Sequence, residues 1–232
     1  MKNWWMLYKA FGVLFSFVML QSCNGTDTTD TIWRVVTTTT PDPARQANVQ
    51  RILSLNPPLI HVMEGNNGFD IDCVLYFSEN GIRISKSYYN GESSTIHAGK
   101  LGHWCTFLRF LEIVQESGKI GVWIEDDVLL ELNDIDNIMQ VINGDHTKAE
   151  VRMSGGDGVV VVKNASQMLQ LVKNHEMTDP VDIFYSVHDM VETVSGTSFI
   201  NKMENVKSGI TTTIQYPIDH VNQMIQMRTI PD

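Results

Sequence analysis

The chain has 232 residues, 43% of them hydrophobic and 19% charged, so it carries enough apolar material to bury a full core. Seventeen Lys and Arg stand against 27 Asp and Glu, a formal charge of -10, with no basic stripe. That balance argues against nucleic acid as a partner, because phosphate-backbone affinity comes from counterions displaced by Lys and Arg.

In chain order, the first feature is a targeting segment. Lys2 and Lys9 flank Trp4–Tyr8, and an apolar run of eleven residues, Ala10–Leu20, follows. That length suits the core of a signal peptide, whereas a simple spanning helix needs about 20 apolar residues. Residues 1–23 therefore read as a signal peptide or membrane anchor, with lipidation at Cys23 a third option. Residues 24–30 read as a short polar stem, and residues 31–232 as one domain. Asn24-Gly25-Thr26 and Asn164-Ala165-Ser166 match the glycosylation acceptor pattern.

Beyond the stem, apolar runs of strand type alternate with helical periodicity. Ile32–Val36 is a short β-branched run that passes into Thr37–Thr40. Asp42 followed by Pro43 predicts an N-cap and first turn for a helix through Leu53. Leu59–Met63 reads as a second strand and Cys73–Phe77 as a third. Cys73 and Cys105 read as buried small hydrophobes; no metal-binding cysteine spacing and no disulfide framework is expected. Asp70-Ile71-Asp72 spells D-x-D, but it precedes the expected third strand and reads as a solvated turn. From Leu101 to Val114 the apolar residues recur at helical spacing. A short helix is expected from Asp134 to Ile142 and a fully apolar strand at Val159–Val162. Asn164 then caps a helix from Ala165 to Lys173, and Pro180 opens another through Val191. Alternating strands and helices predict an α/β fold with a central, mostly parallel sheet flanked by helices.

The run Lys119–Leu130 carries the chemistry. An apolar stretch ends in Glu125-Asp126-Asp127, and an apolar segment resumes at once. Adjacent like charges repel, so such acids must stay solvated or find partners. Hard carboxylate oxygens at the end of a central strand suit Mg2+ or Mn2+. A solvated acidic turn is the plain alternative. In open α/β sheets ligands sit beyond the carboxyl ends of strands, so the Thr37–Thr40 segment and the three acids are expected to share one crevice. Neither a dinucleotide fingerprint nor a P-loop is present.

The block Lys100-Leu101-Gly102-His103-Trp104, its helix, and the Ile120–Val128 strand with its Glu-Asp-Asp resemble the GT-A class of metal-dependent glycosyltransferases. The likeness is to the lipopolysaccharide-type family 25 enzymes and to small glycosyltransferase domains of large algal viruses. The order of elements extends it over roughly residues 31–220, with Arg152–Gly158 and Pro180-Val181-Asp182 fitting in place. The resemblance implies a GT-A-like (Rossmann-like) fold and transfer of a sugar from a nucleoside diphosphate sugar, UDP-sugar favoured, to a glycan or glycoprotein. Asp127 would bind the Mn2+ or Mg2+, and Glu125 or Asp126 would contact the ribose or hold a metal-bound water. Thr38, Thr39 and Arg45 would hold the nucleotide, and Lys100 the donor phosphates, although Lys100 also reads as a solvated lysine. Glu125 and a late histidine, His220, are further metal candidates. Inverting transfer needs a base on the acceptor hydroxyl. Asp182 at a helix start is the first candidate and Asp157 the second; Asp182 reads equally as a charge complementing the helix dipole. His103 reads as helix packing or a supporting hydrogen-bonded residue.

Two other classes remain open on sequence alone. One is a non-catalytic carbohydrate- or protein-binding domain on a degenerate transferase fold. The other is a metal-dependent hydrolase, though the chain lacks the separated His/Asp pairs such sites use.

Overall fold

In the computed structural model, residues 30–38, 42–56, 59–68, 70–85, 95–154, 158–196, 199–203 and 215–227 are described. Residues 31–232 form one compact unit. The expected leader, the expected stem up to residue 29, the Asn24 glycosylation pattern, Thr39 and Asp157 lie outside the described residues. Among the described residues no helix is long and apolar enough to cross a membrane.

The first strand, β1 (Thr31–Thr37), leads into α1 (Pro43–Leu55), whose N-cap Asp42 accepts a hydrogen bond from Ala44 N–H at 2.7 Å. The chain returns as β2 (Ile60–Glu64), parallel to β1. It then crosses to the other side of β1 through α2 (Ile71–Glu79), the short β3 (Thr95–His97) and α3 (Ala98–Ser117), entering β4 (Ile120–Glu125). β4 also runs parallel to β1, with Val35 opposite Ile124 and Val36 opposite Glu125. The strand order therefore reverses between β1 and β4, and their carboxyl ends open side by side.

The remaining strands are β5 (Glu150–Arg152), β6 (Val159–Val162) and β7 (Val191–Thr193), giving a six-stranded sheet in the order β2-β1-β4-β6-β5-β7. Three ladders are parallel; β6 runs against both β4 and β5. The sheet is thus mixed and mostly parallel, as expected. The helices α4 (Leu132–Asn143), α5 (Ala165–Asn174) and α6 (Val181–Val187) lie along this path. A final strand, β8 (Gln215–Pro217), pairs with β3 and precedes α7 (Ile218–Met227).

Successive side chains of β4 alternate between two cores. Trp123 packs edge-on against Phe107 and Phe110 of α3, with ring centroids 5.1 and 5.5 Å away. Val122 and Ile124 face the opposite core, which α1 and α4 close. Gly121 allows α3 to sit this close, since a Cβ there would lie 2.5 Å from Val114 Cγ2 and 2.8 Å from Phe110 Cζ.

Three expectations are corrected. Cys73–Phe77 is helical, not a strand: it belongs to α2, where Cys73, Val74 and Phe77 fall on one buried face. Cys73 and Cys105 are joined by a disulfide with Cα atoms 5.8 Å apart, so they are not free thiols; it ties α2 to α3. The helix opened by Pro180 stops at Val187, not Val191. Asp189 takes a left-handed φ of 58°, which ends the helical path and lets β7 begin at Val191.

Candidate functional site at the β1–β4 switch

A cavity of about 440 Å³ lies where the strand order reverses, lined by the ends of β1 and β4 and the first turns of α3. This is the place where open α/β sheets bind ligands. Of the sequence candidates it brings together Thr38, Arg45, Lys100, Glu125, Asp126 and Asp127. Gly99 and Lys100, in the first turn of α3, also line it.

The three acids are distributed among different partners. Asp126 is 1% exposed; its carboxylate accepts from Thr38 N–H at 3.0 Å and pairs with Arg45 Nη1. Arg45, itself buried, extends Nη2 to Asp127 Oδ2 at 3.0 Å. Asn48, one turn on along α1, donates to the carbonyls of Asp126 at 2.9 Å and Val128 at 2.7 Å. Arg51 donates to Asn48 Oδ1 and to the Leu130 carbonyl. α1 thus grips the loop after β4 through three polar side chains. Glu125, on the other face of the strand, pairs with Lys202 Nζ and lies 3.9 Å from His103 Nε2. Lys202 Nζ also stands 3.8 Å from Asp127 Oδ1.

Several polar atoms of cavity-lining residues are buried with no hydrogen-bond partner: Thr38 Oγ1, Trp123 Nε1 and Asp127 Oδ1. Buried polar atoms are nearly always paired, so these orphans are atoms whose bonding ordered water or a ligand in the cavity would complete. Asn66 and Thr106 complete the opposite wall. Asn66 N–H donates to Thr106 Oγ1 at 2.9 Å, and Thr106 in turn donates to the Gly102 carbonyl at 2.8 Å.

The other candidates fall elsewhere. Asp182 sits in the first turn of α6, where its carbonyl accepts from Arg152 and from Ser186 Oγ, and it does not line the cavity. Arg152 belongs to a second buried polar cluster, with Glu150 and the fully buried Tyr185. Burial, and then the Glu150 charge, hold the Tyr185 phenol well above its ordinary pKa, so it is neutral. His220 is exposed on α7 and does not line the cavity, although β8 brings that segment alongside β3, whose His97 does. Sequence reasoning missed Lys202, Asn48 and Asn66, and gave His103 no place in the cavity, which it lines while stacked on Trp123 at 5.8 Å.

A divalent cation can be tested against these donors. Among the described residues no group of three His, Cys, Asp or Glu forms a ligand set. Mg2+ is commonly held by one or two carboxylates, with substrate phosphates and water completing the shell. Asp127 Oδ1, which accepts no hydrogen bond and stands 3.8 Å from the Lys202 ammonium, with Glu125 paired to that same ammonium, fits that kind of shared site. The donors do not form an all-protein cage.

Compared with known proteins, the chain matches no family model and no curated protein.

Proposed function

We propose that the protein is a GT-A-like glycosyltransferase that moves a sugar from a nucleoside diphosphate sugar, with UDP-sugar the favoured donor, to a glycan or glycoprotein acceptor. The observation that carries this reading is the cavity at the β1–β4 switch, where acids, an arginine, a helix start and orphaned polar atoms meet. Family resemblance in the Glu-Asp-Asp block adds the reaction type.

In this reading the acceptor hydroxyl oxygen bonds to the anomeric carbon, whose bond to the diphosphate oxygen breaks. The electron pair leaves with the nucleoside diphosphate, and the hydroxyl proton passes to a base. Asp127, with Glu125 beside it, would hold Mn2+ or Mg2+, which when bound supplies Lewis-acid stabilisation of the leaving diphosphate. Thr38 and Arg45 orient the nucleotide, and Asp126 orients both by holding the Thr38 amide and the Arg45 guanidinium. Lys100 at the α3 start adds positive charge for the phosphates. The base expected at Asp182 would act from outside the cavity lining, and Asp157 lies outside the described residues.

A second reading, a binding domain on a degenerate transferase fold, is favoured by one observation: Arg45 and Lys202 already pair with all three carboxylates. Thermal shift of the full chain against nucleoside diphosphates and their sugars, with and without Mn2+, separates the two. The transferase reading expects a nucleotide-selective, metal-dependent rise that Asp127→Ala removes. A folded protein that no nucleotide stabilises favours the binding domain. An Asp127→Ala variant that binds metal and donor as wild type does refutes the site assignment.

A further inference from the structure

Lys202 belongs to none of the sequence motifs, yet the fold places its side chain with care. Its segment, Phe199–Met203, is pinned on two sides. Ile200 N–H donates to the Met153 carbonyl just beyond β5 at 2.6 Å. Leu129 N–H donates to the Asn201 carbonyl at 2.9 Å, and Met203 N–H to the Asp127 carbonyl at 2.7 Å. Those bonds set Lys202 opposite Val128 in an antiparallel bridge. The side chain then passes over Gly158, where any Cβ would collide with Lys202 Cε. Its ammonium ends paired with Glu125 and 3.8 Å from Asp127 Oδ1, the oxygen that accepts no hydrogen bond.

We propose that Lys202 is a resident competitor for the divalent cation. The ammonium and a metal ion cannot both occupy the space at Glu125 and Asp127, because two cations at such a distance repel strongly in a half-buried site. The resting protein therefore binds metal weakly. Metal enters together with a diphosphate, whose negative charge gives the displaced ammonium a new partner. Charge counting agrees: three carboxylates face Arg45, Lys202 and the cavity-lining Lys100, so no net negative charge is left to draw in a divalent ion against its competitor. This inference rests on the transferase reading and adds an order to it, nucleotide and metal binding as a unit rather than metal first.

The test is a Mn2+ titration of the full chain, read from the paramagnetic resonance signal of free Mn2+, for wild type and Lys202→Met, with and without UDP. Wild type alone is expected to bind Mn2+ weakly, and UDP to tighten binding by about tenfold or more. Lys202→Met is expected to bind Mn2+ without nucleotide about tenfold more tightly than wild type, a gain that adding Asp127→Asn removes. Its melting temperature rises with Mn2+ alone, where that of wild type does not. If Lys202→Met melts cooperatively yet binds Mn2+ no better than wild type, while UDP with Mn2+ still stabilises wild type, the competitor role is overturned and the transferase reading stands. If neither protein binds Mn2+ with or without UDP, both are overturned. Lys202→Gln, read the same way, replaces the methionine variant if that one does not fold.

Discussion

Arg45→Met tests the polar hub beneath the cavity. Arg45 is 7% exposed and Asp126 1%, so neither charge has water to fall back on. Removing the guanidinium leaves the Asp126 carboxylate with the Thr38 N–H as its remaining hydrogen-bond donor. Breaking a buried pair from one side costs about 3–5 kcal/mol, because the surviving charge stays buried and uncompensated. For a domain of roughly 200 residues each kcal/mol lowers the melting temperature by about 2–4 °C, so a fall of about 6–20 °C is expected. Arg45→Met combined with Asp126→Asn keeps an acceptor for Thr38 N–H and removes the orphaned charge. The double variant should therefore recover part of the loss, with a coupling of about 2 kcal/mol in a double-mutant cycle. Urea unfolding followed by circular dichroism measures all four proteins. A loss under about 1 kcal/mol for Arg45→Met, the scale of an exposed ion pair, would refute the buried-hub argument.

Three further outcomes follow from packing and titration. Gly102→Ala pushes a Cβ into the Asn66 carbonyl, a backbone contact that cannot rotate away, and should cost about 1–3 kcal/mol in urea unfolding; an unchanged midpoint would mean that the loop after β2 is not held against α3. The Cys73–Cys105 disulfide closes a loop over a sequence separation of 32 and should contribute about 2–4 kcal/mol. Melting with and without reductant, with thiols counted after alkylation, checks this, and equal melting of fully reduced and oxidised protein would exclude it. Burial, aided by the nearby His175, lowers the His188 pKa below 6.5, against the pull of Asp179. The unfolded chain then takes up the proton first on acidification, so this contribution is present above 6.5 and is lost as pH falls through the lowered value. His188→Gln should flatten the fall in melting temperature between neutral pH and about pH 5; an unaltered slope would show that His188 does not contribute.

What could be read in the sequence divides by range of interaction. α1, α3, α5, β1, β4 and β6 carry local signals, such as the Asp42-Pro43 start, the Leu101–Val114 period and the Asn164 cap, which accepts from Gln167 N–H at 3.0 Å. The meeting of Thr38 with the acids was also legible, because strands followed by crossover helices place their carboxyl ends together. α2 was not legible, since five apolar residues fit a buried strand as well as a buried helix. Nor was the disulfide, because two cysteines without a spacing pattern carry no pairing signal. The partner of Glu125 lies 77 positions away, on a segment whose place depends on β5, β7 and the bridge at Val128. No local pattern reports such a contact.

Three consecutive acids are tolerable because the strand turns them apart. Glu125 shares the Trp123 side of the sheet and meets Lys202 and His103 there. Asp126, next in the chain, turns toward β1 and α1 and is closed in by Thr38 and Arg45. Asp127 is shared: Oδ2 accepts from Arg45 at 3.0 Å, while Oδ1 accepts no hydrogen bond and stands 3.8 Å from Lys202 Nζ. Each cation would keep a carboxylate if Asp127 were lost, Arg45 through Asp126 and Lys202 through Glu125. Asp127 is therefore the acid that the fold can spare. Asp127→Asn should change stability by less than about 1 kcal/mol, since Asp127 is only partly buried, the amide oxygen can still accept from Arg45 and no cation is orphaned. Asp126→Asn should cost several times more. A fold-neutral Asp127 would have its reason in a ligand rather than in packing. A loss for Asp127→Asn as large as that for Asp126→Asn would make it one more structural ion-pair partner and remove the main physical ground for placing a cation there.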